Sequence, residues 1–183
     1  FLAAEVAPFV KIGGLSQVMY FLPRAHNKNG HDARIFMPKY AQIDSPHEKK
    51  TWKLKKEIEN LSVPLDNFTT KSSPRSTMGS LLCNIKFYPK TRITSHTYFL
   101  ENREYYELRA NIYGYKDDHI RFMLLAKGCL EWLLMMQKLV DTKDKKGWMP
   151  DVIHCNDWHT VYFIEVARKS KRYHDLLAKV PII

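Results

Sequence analysis

The chain opens Phe1-Leu2-Ala3-Ala4-Glu5-Val6-Ala7-Pro8-Phe9-Val10-Lys11-Ile12-Gly13-Gly14-Leu15. An apolar run gives way to a proline-bearing loop, then a lysine and paired glycines, and a helical pattern begins at once. Leu15, Val18, Met19, Leu22 and Ala25 recur at intervals of three and four, which predicts a helix over 15–29 with an apolar stripe for a sheet face. Gly30 stands where a helix-terminating glycine is expected. Ala33-Arg34-Ile35-Phe36-Met37, stopped by Pro38, reads as the next strand. With residues 1–5 as the first strand, the unit is strand–helix–strand. That implies a parallel pair with a right-handed crossover.

Outward from this unit the alternation lapses and then resumes. Residues 61–64, 80–88 and 94–100 are short strand candidates; Leu81, Cys83, Ile85 and Phe87 alternate as in a half-buried strand. Residues 68–78 are mostly polar and read as a mobile loop. His47-Glu48-Lys49-Lys50 and Lys53-Leu54-Lys55-Lys56-Glu57 read as a solvated helical face or loop. Residues 101–115 are aromatic-rich and irregular. Asp117 or Asp118 then caps a long helix reaching about Leu139, with Ile120, Met123, Leu124, Cys129, Leu130 and Leu133 in its stripe. A strand over 151–155 is followed by a turn, a helix over 160–169 and the start of a last strand at the end of the chain. The fold class is α/β: a Rossmann-like open, mostly parallel sheet with helices on both faces.

Composition narrows the functional classes. The chain has 183 residues, ample for one domain and hardly enough for two. Hydrophobic residues make up 45% and charged residues 26%, as in ordinary soluble proteins. The net charge of +10 is scattered and often interleaved with acids, and no nucleic-acid-binding module is visible. A mild attraction for anionic substrates is the safer inference. Cys83, Cys129 and Cys155 are odd in number and far apart, which argues against a disulfide scaffold and for a reducing compartment. No signal peptide is visible. The most apolar stretch, Ile120 to Val140, carries Arg121, Lys127, Glu131 and Lys138, so no membrane span is expected and a cytoplasmic location is. Both ends read as cut, Phe1 inside a buried strand and Val180-Pro181-Ile182-Ile183 at the start of another.

Two clusters carry chemistry. Lys11, Gly13 and Gly14 put a point charge and unhindered backbone at a helix N-terminus, where unpaired N–H groups and the helix dipole favour anions. The glycines also read more plainly as the residues of a tight turn. Gly-x-Gly-x-x-Gly and Gly-x-x-x-x-Gly-Lys-Ser/Thr are both absent, so the usual dinucleotide and P-loop readings fail. The second cluster is His154-Cys155-Asn156-Asp157-Trp158-His159. Three readings of it stand: a metal site on His154, Asp157 and His159; a structural corner with Asp157 as helix cap and His154 buried; or an Asp157 that orients a polar substrate. Ligands in open α/β sheets bind beyond the carboxyl ends of the strands, and both clusters fall there.

Taken together, several landmarks resemble a known family. They are Glu5-x-x-Pro8-Phe9-x-Lys11-x-Gly13-Gly14-Leu15, Leu22-Pro23-Arg24-Ala25, Gly30-His31-Asp32-Ala33-Arg34 and Met37-Pro38-Lys39-Tyr40, then Asp117 through Arg121-Phe122, and Pro150-Asp151-Val152-Ile153-His154-x-x-Asp157-Trp158-His159. In order and spacing they resemble bacterial glycogen synthase and plant starch synthase, with residues 45–100 the weakest part. The resemblance implies the N-terminal, acceptor-side domain of a GT-B fold, with the donor-binding C-terminal domain absent. It implies a retaining glucosyltransferase that moves glucose from ADP-glucose to the non-reducing 4-hydroxyl of an α-1,4-glucan, without metal ion or cofactor. By the same resemblance Lys11, Gly13 and Gly14 face the nucleotide diphosphate, and Asp157 belongs to the active site. Tyr113 and His154 line the cleft. The partners implied are ADP-glucose, glucan and the second domain, with neither nucleic acid nor membrane; in a plant the location would be the plastid. Another GT-B transferase, or a non-catalytic carbohydrate-binding module, remains the alternative. Two departures stand out: Gln17 occupies a position where the family usually has aspartate, and Asp118 one where asparagine is common.

Overall fold

The computed structural model describes residues 1–44, 52–64 and 79–183. Helix α1 spans Gly14–Lys28 and ends at Gly30, whose φ of 89° is a conformation that suits glycine. Strand β1 is Arg34–Pro38, β2 Lys55–Pro64, β3 Ser80–Tyr88 and β4 His96–Glu101. Helix α2 runs Asp118–Asp141 and α3 Val161–Lys169. The readings of 45–51 and 65–78 fall outside the described residues.

The sheet has the order β1-β4-β3-β2. β1 lies parallel to β4, with Phe36 opposite Tyr98, while β4–β3 and β3–β2 are antiparallel. Beyond β1 the ladder continues through single parallel bridges: Leu2 to both Phe36 and Cys155, and Ile153 to Ile182. The expected first strand is thus a short contact between β1 and the 153–155 segment, fixed by Leu2 N–H to His154 O at 2.9 Å and Ala3 N–H to Phe36 O at 3.2 Å. The parallel pairing of the opening unit is present, and most of the sheet is parallel. Of residues 53–57, expected as a helical face or loop, 53 and 54 are loop while 55–57 enter β2. The charges at Lys55, Lys56, Glu57 and Glu59 stay in water along this edge strand while Leu61 and Val63 turn inward.

Helices cover both faces. On one, Trp132 of α2 stacks on Phe36 at 5.1 Å and meets Tyr98 at 4.4 Å. Gly128 lets α2 approach closely, since a Cβ there would lie 2.6 Å from Leu100 Cδ2. On the other face Phe9 packs edge-on against Phe99 at 5.0 Å, and Asn27 of α1 donates to Ser95 Oγ at 3.0 Å. The buried residues of α1 are Ser16, Met19 and Pro23, so the expected stripe is rotated, with Val18 and Ala25 left exposed. The polar members of the inward row are satisfied: Ser16 Oγ donates to Gly13 O, and Asn27 Nδ2 to Pro23 O and Ala33 O. This removes the usual penalty for burying them.

Helix α2 also departs from a one-sided stripe. Every residue from Arg121 to Leu133 is buried, because the sheet, α3 and the 171–180 turns enclose it. Its charges survive by pairing. Glu131 accepts from Arg172 Nε at 2.6 Å and from the Tyr173 hydroxyl at 2.5 Å, and Arg121 is held by the 105–118 loop. Among the described residues, no helix is long and apolar enough to cross a membrane.

Candidate functional site at the carboxyl ends of the parallel strands

Four connections leave the carboxyl ends of the parallel segments side by side: residues 5–13, Lys39–Tyr40 after β1, 102–117 after β4, and 156–160. Backbone-directed bonds tie them together. The Tyr40 hydroxyl donates to Ala4 O at 3.0 Å, Lys39 N–H to Leu100 O at 2.8 Å, and Asn156 Nδ2 to Leu2 O at 3.1 Å. Below this rim, buried Lys39 lies among the carboxylates of Asp44, Glu101 and Glu107, and Lys86 reaches Glu101 at 2.5 Å. Burial opposes ionisation of Glu101, but the hydrogen bonds from Lys86 and Asn84 outweigh it and hold the carboxyl below its ordinary range.

The Lys11 loop is organised by an acidic residue that opens the first landmark motif. Glu5 is 3% exposed, and its Oε2 accepts the N–H of Ile12 at 2.8 Å and of Gly13 at 3.0 Å. The N-terminal residue ahead of α1 therefore already has a carboxylate, supplied from outside the helix. No acidic residue lies in the first turn of α1 and Gly13 makes no side-chain cap bond, so the carboxylate at this helix start is that of Glu5. Gly13 is needed for close approach rather than for a positive φ: a Cβ there would sit 3.3 Å from Glu5 Oε1. Its N–H is thus engaged by the protein itself. A Cβ on Gly14 would meet nothing within 4 Å, and Lys11 is exposed. The signal for Glu5 was present in the sequence: a lone acid at the end of an apolar segment, a few residues before a bare helix N-terminus.

Because Glu5 satisfies two N–H groups in a buried place, Glu5→Ala is expected to destabilise the chain by about 2 kcal/mol. Glu5→Gln, which keeps an acceptor oxygen, should lose less. Urea unfolding of the two variants checks this, and an unchanged midpoint for Glu5→Ala would show that the carboxylate does not hold the loop.

Asp157 has φ 68° and ψ 171°, a conformation that is essentially the preserve of glycine and costs about 1–3 kcal/mol in other residues. The corner that imposes it is tightly bonded. Asp157 Oδ1 accepts the Trp158 N–H at 2.6 Å, its carbonyl accepts the Thr160 hydroxyl at 3.0 Å, and Asn156 is fixed to Leu2 and His154 carbonyls. The carboxylate remains exposed. The capping reading is correct in part, since Asp157 caps the single turn Trp158–Thr160 that leads into α3.

Tyr113 joins this group. Its ring stacks on His159 at 4.7 Å with an interplanar angle of 28°. Burial pushes its hydroxyl up, and the Glu5 and Asp157 carboxylates add to the effect, so the three groups share one neighbourhood. The hydroxyl is directed at the Glu5 carboxylate without forming a well-aligned hydrogen bond, and the buried Nδ1 of His159 has no hydrogen-bond partner among the described residues. Burial also pushes the His159 imidazole down against the pull of Asp157 and Glu5, leaving it neutral near pH 7.

His154 is placed differently. Its ring packs edge-on against Phe1 at 5.1 Å and lines a cavity of about 620 Å³ with Trp132 and Trp148, below the strand ends that carry Asp157. The structure does not bring His154 to Tyr113 or Lys11. Nor does it gather His154, Asp157 and His159 around one point: among the described residues, no group of three or more metal-binding side chains is close enough to hold an ion. The corner geometry thus favours the structural and positioning readings of this cluster over the metal reading.

Comparison with known proteins agrees with the landmarks. The family model for the starch synthase catalytic domain matches residues 1–183. The glycogen synthase of Geotalea daltonii is 32% identical over 176 residues, covering 93% of this chain and 31% of the relative. That of Lacticaseibacillus casei is 36% identical over 173 residues, covering 93% and 30%. A solved structure of the catalytic domain of starch synthase IV from Arabidopsis thaliana, bound to ADP and acarbose, superposes with a TM-score of 0.68 at 25% identity, covering 99% of this chain and 32% of that one. The chain spans about a third of the length of these relatives.

Proposed function

The chain belongs to the starch synthase catalytic domain family, and from that premise we propose that it is the acceptor-side, N-terminal part of an ADP-glucose-dependent glucan synthase. In this reading the enzyme transfers glucose, with retention, to the non-reducing 4-hydroxyl of an α-1,4-glucan. A second, donor-binding domain of the same polypeptide closes the cleft. The observation that carries the reading is the convergence of the Lys11 loop, held by Glu5, with Asp157, Tyr113 and His159 at one end of the parallel strands. The ADP and acarbose in the starch synthase IV structure support a sugar-nucleotide donor and a glucan-like acceptor.

The roles follow from the chemistry of the departing diphosphate. When the glucosyl–oxygen bond breaks, negative charge grows on ADP. The exposed ammonium of Lys11 and the open backbone at Gly14 suit that charge. Gly13 acts indirectly, through the bond that shapes the loop. Asp157 positions the sugar and opposes the positive charge that develops on it, and Tyr113 walls the cleft beside it. Three free cysteines fit a reducing compartment, the cytoplasm or a plastid.

The reading is tested by glucan elongation from radiolabelled ADP-glucose, assayed for the full-length polypeptide and for residues 1–183 alone. The full-length polypeptide should elongate glucan and the chain alone should not, because it holds one wall of the cleft. Elongation by the isolated chain would overturn the division of labour, and no elongation by the full-length polypeptide would overturn the activity.

A further inference from the structure

Among the described residues Arg121 is the largest fully buried side chain, and it is a charge. A buried guanidinium is costly unless its donors are used. Its partners lie on the 105–115 loop and at the first residue of α2, and its Nη2 is left without a hydrogen-bond partner among the described residues. Nε donates to Tyr105 O at 2.8 Å, and Nη1 donates to Ile112 O at 3.0 Å and to Asp118 Oδ1 at 2.5 Å. The guanidinium carbon stands 4.9 Å from the centre of the Tyr115 ring. Asp118 extends the clamp: its Oδ2 accepts the N–H of Gly114 at 2.8 Å and of Tyr115 at 3.1 Å. From the other side Arg109 bonds Asp117 Oδ2 at 2.6 Å, and the Tyr106 hydroxyl donates to the Arg121 carbonyl at 2.7 Å.

The expected cap is therefore not what these aspartates do. Asp117 stands at the N-cap position of α2 without a side-chain cap bond, and Asp118 faces back into the loop. Between the bonds at Ile112 and at Gly114–Tyr115 lies Tyr113, held on both sides along the backbone with its ring against His159. We propose that Arg121, with Asp118, is a positioning residue of the cleft: it fixes the 105–115 loop from helix α2 and so sets where Tyr113 stands relative to Asp157. The inference rests on the reading of Tyr113 as a wall of the sugar site.

The test is a double-mutant cycle in the full-length polypeptide, with kcat and KM for ADP-glucose and glucan measured well below the unfolding temperature. Arg121→Lys keeps the charge but cannot span the Tyr105, Ile112 and Asp118 acceptors together. It should lower kcat/KM about tenfold or more, as misplacement of a substrate-positioning wall does. Tyr113→Ala should lower it as well, and the double variant should be no worse than Tyr113→Ala alone. Normal kinetics in Arg121→Lys beside an impaired Tyr113→Ala, or losses that multiply, would overturn the proposal and leave Arg121 a stabilising residue only. Normal kinetics in Tyr113→Ala would instead overturn the reading of Tyr113 on which it rests. Should Arg121→Lys fail to fold, Asp118→Asn enters the same cycle with the same expected masking.

Discussion

Lys11→Ala in the full-length polypeptide is expected to lower kcat/KM for ADP-glucose about a hundredfold, the scale seen when one preorganised donor to a developing anion is removed. The side chain is exposed and its loop is shaped by Glu5 rather than by Lys11, so the fold should survive and the unfolding temperature should be unchanged. Glucan KM should move little, because the acceptor carries no phosphate. Steady-state kinetics with each substrate varied in turn, beside a thermal melt, checks all three statements. Normal ADP-glucose kinetics in a folded Lys11→Ala variant would remove the lysine from the site.

The second large effect concerns Asp157, where function and stability should part. Asp157→Asn keeps an oxygen for the Trp158 N–H but loses the charge, and kcat should fall on the order of a hundredfold to a thousandfold. Asp157→Gly should be at least as inactive, yet it relieves a backbone conformation that costs an aspartate about 1–3 kcal/mol. Its melting temperature should therefore fall less than loss of the side-chain bond alone would dictate, or rise. A position that gives up activity while becoming no less stable is one whose strain serves the site. Near-normal kcat in Asp157→Asn would contradict the role given to the carboxylate.

The parts of the fold that were legible share a physical cause. Helix α1 and its end are written in apolar period and in a terminal glycine, and both depend on neighbouring residues only, whereas the first strand shrinks to the bridges of Leu2, whose partners are distant in sequence. The same holds for β3, whose alternation from Leu81 to Phe87 is local. Residues 55–57 misled because an exposed edge strand and a solvated helix are both rich in Lys and Glu; only pairing with β3 decides between them. The α2 stripe misled because a helix enclosed by sheet and helix can bury Arg121 and Glu131 once partners arrive from residues 105–118 and 172–173.

The site divides the same way. Lys11, Gly14 and Asp157 stood out by residue type and position, and the structure places the loop and the corner at the same end of the sheet. The bond between Glu5 and Gly13 was not legible, because which group takes an N–H is a matter of three-dimensional distance. His154 sits three residues from Asp157 in sequence, yet it belongs to a different cavity. Tyr113 was reachable only by resemblance; the stack on His159, across 46 positions, is a product of the fold.

The central claim is that the Lys11 loop and Asp157 form one wall of a sugar-nucleotide site. A crystal structure of the full-length polypeptide with ADP and a glucan oligosaccharide tests it most directly. The expected result is Lys11 Nζ within hydrogen-bonding distance of a diphosphate oxygen, the Glu5 bonds to Ile12 and Gly13 intact, and Asp157 and Tyr113 facing the sugar-binding space. ADP bound away from this loop, with Lys11 in solvent and Asp157 remote from the saccharide, would contradict it.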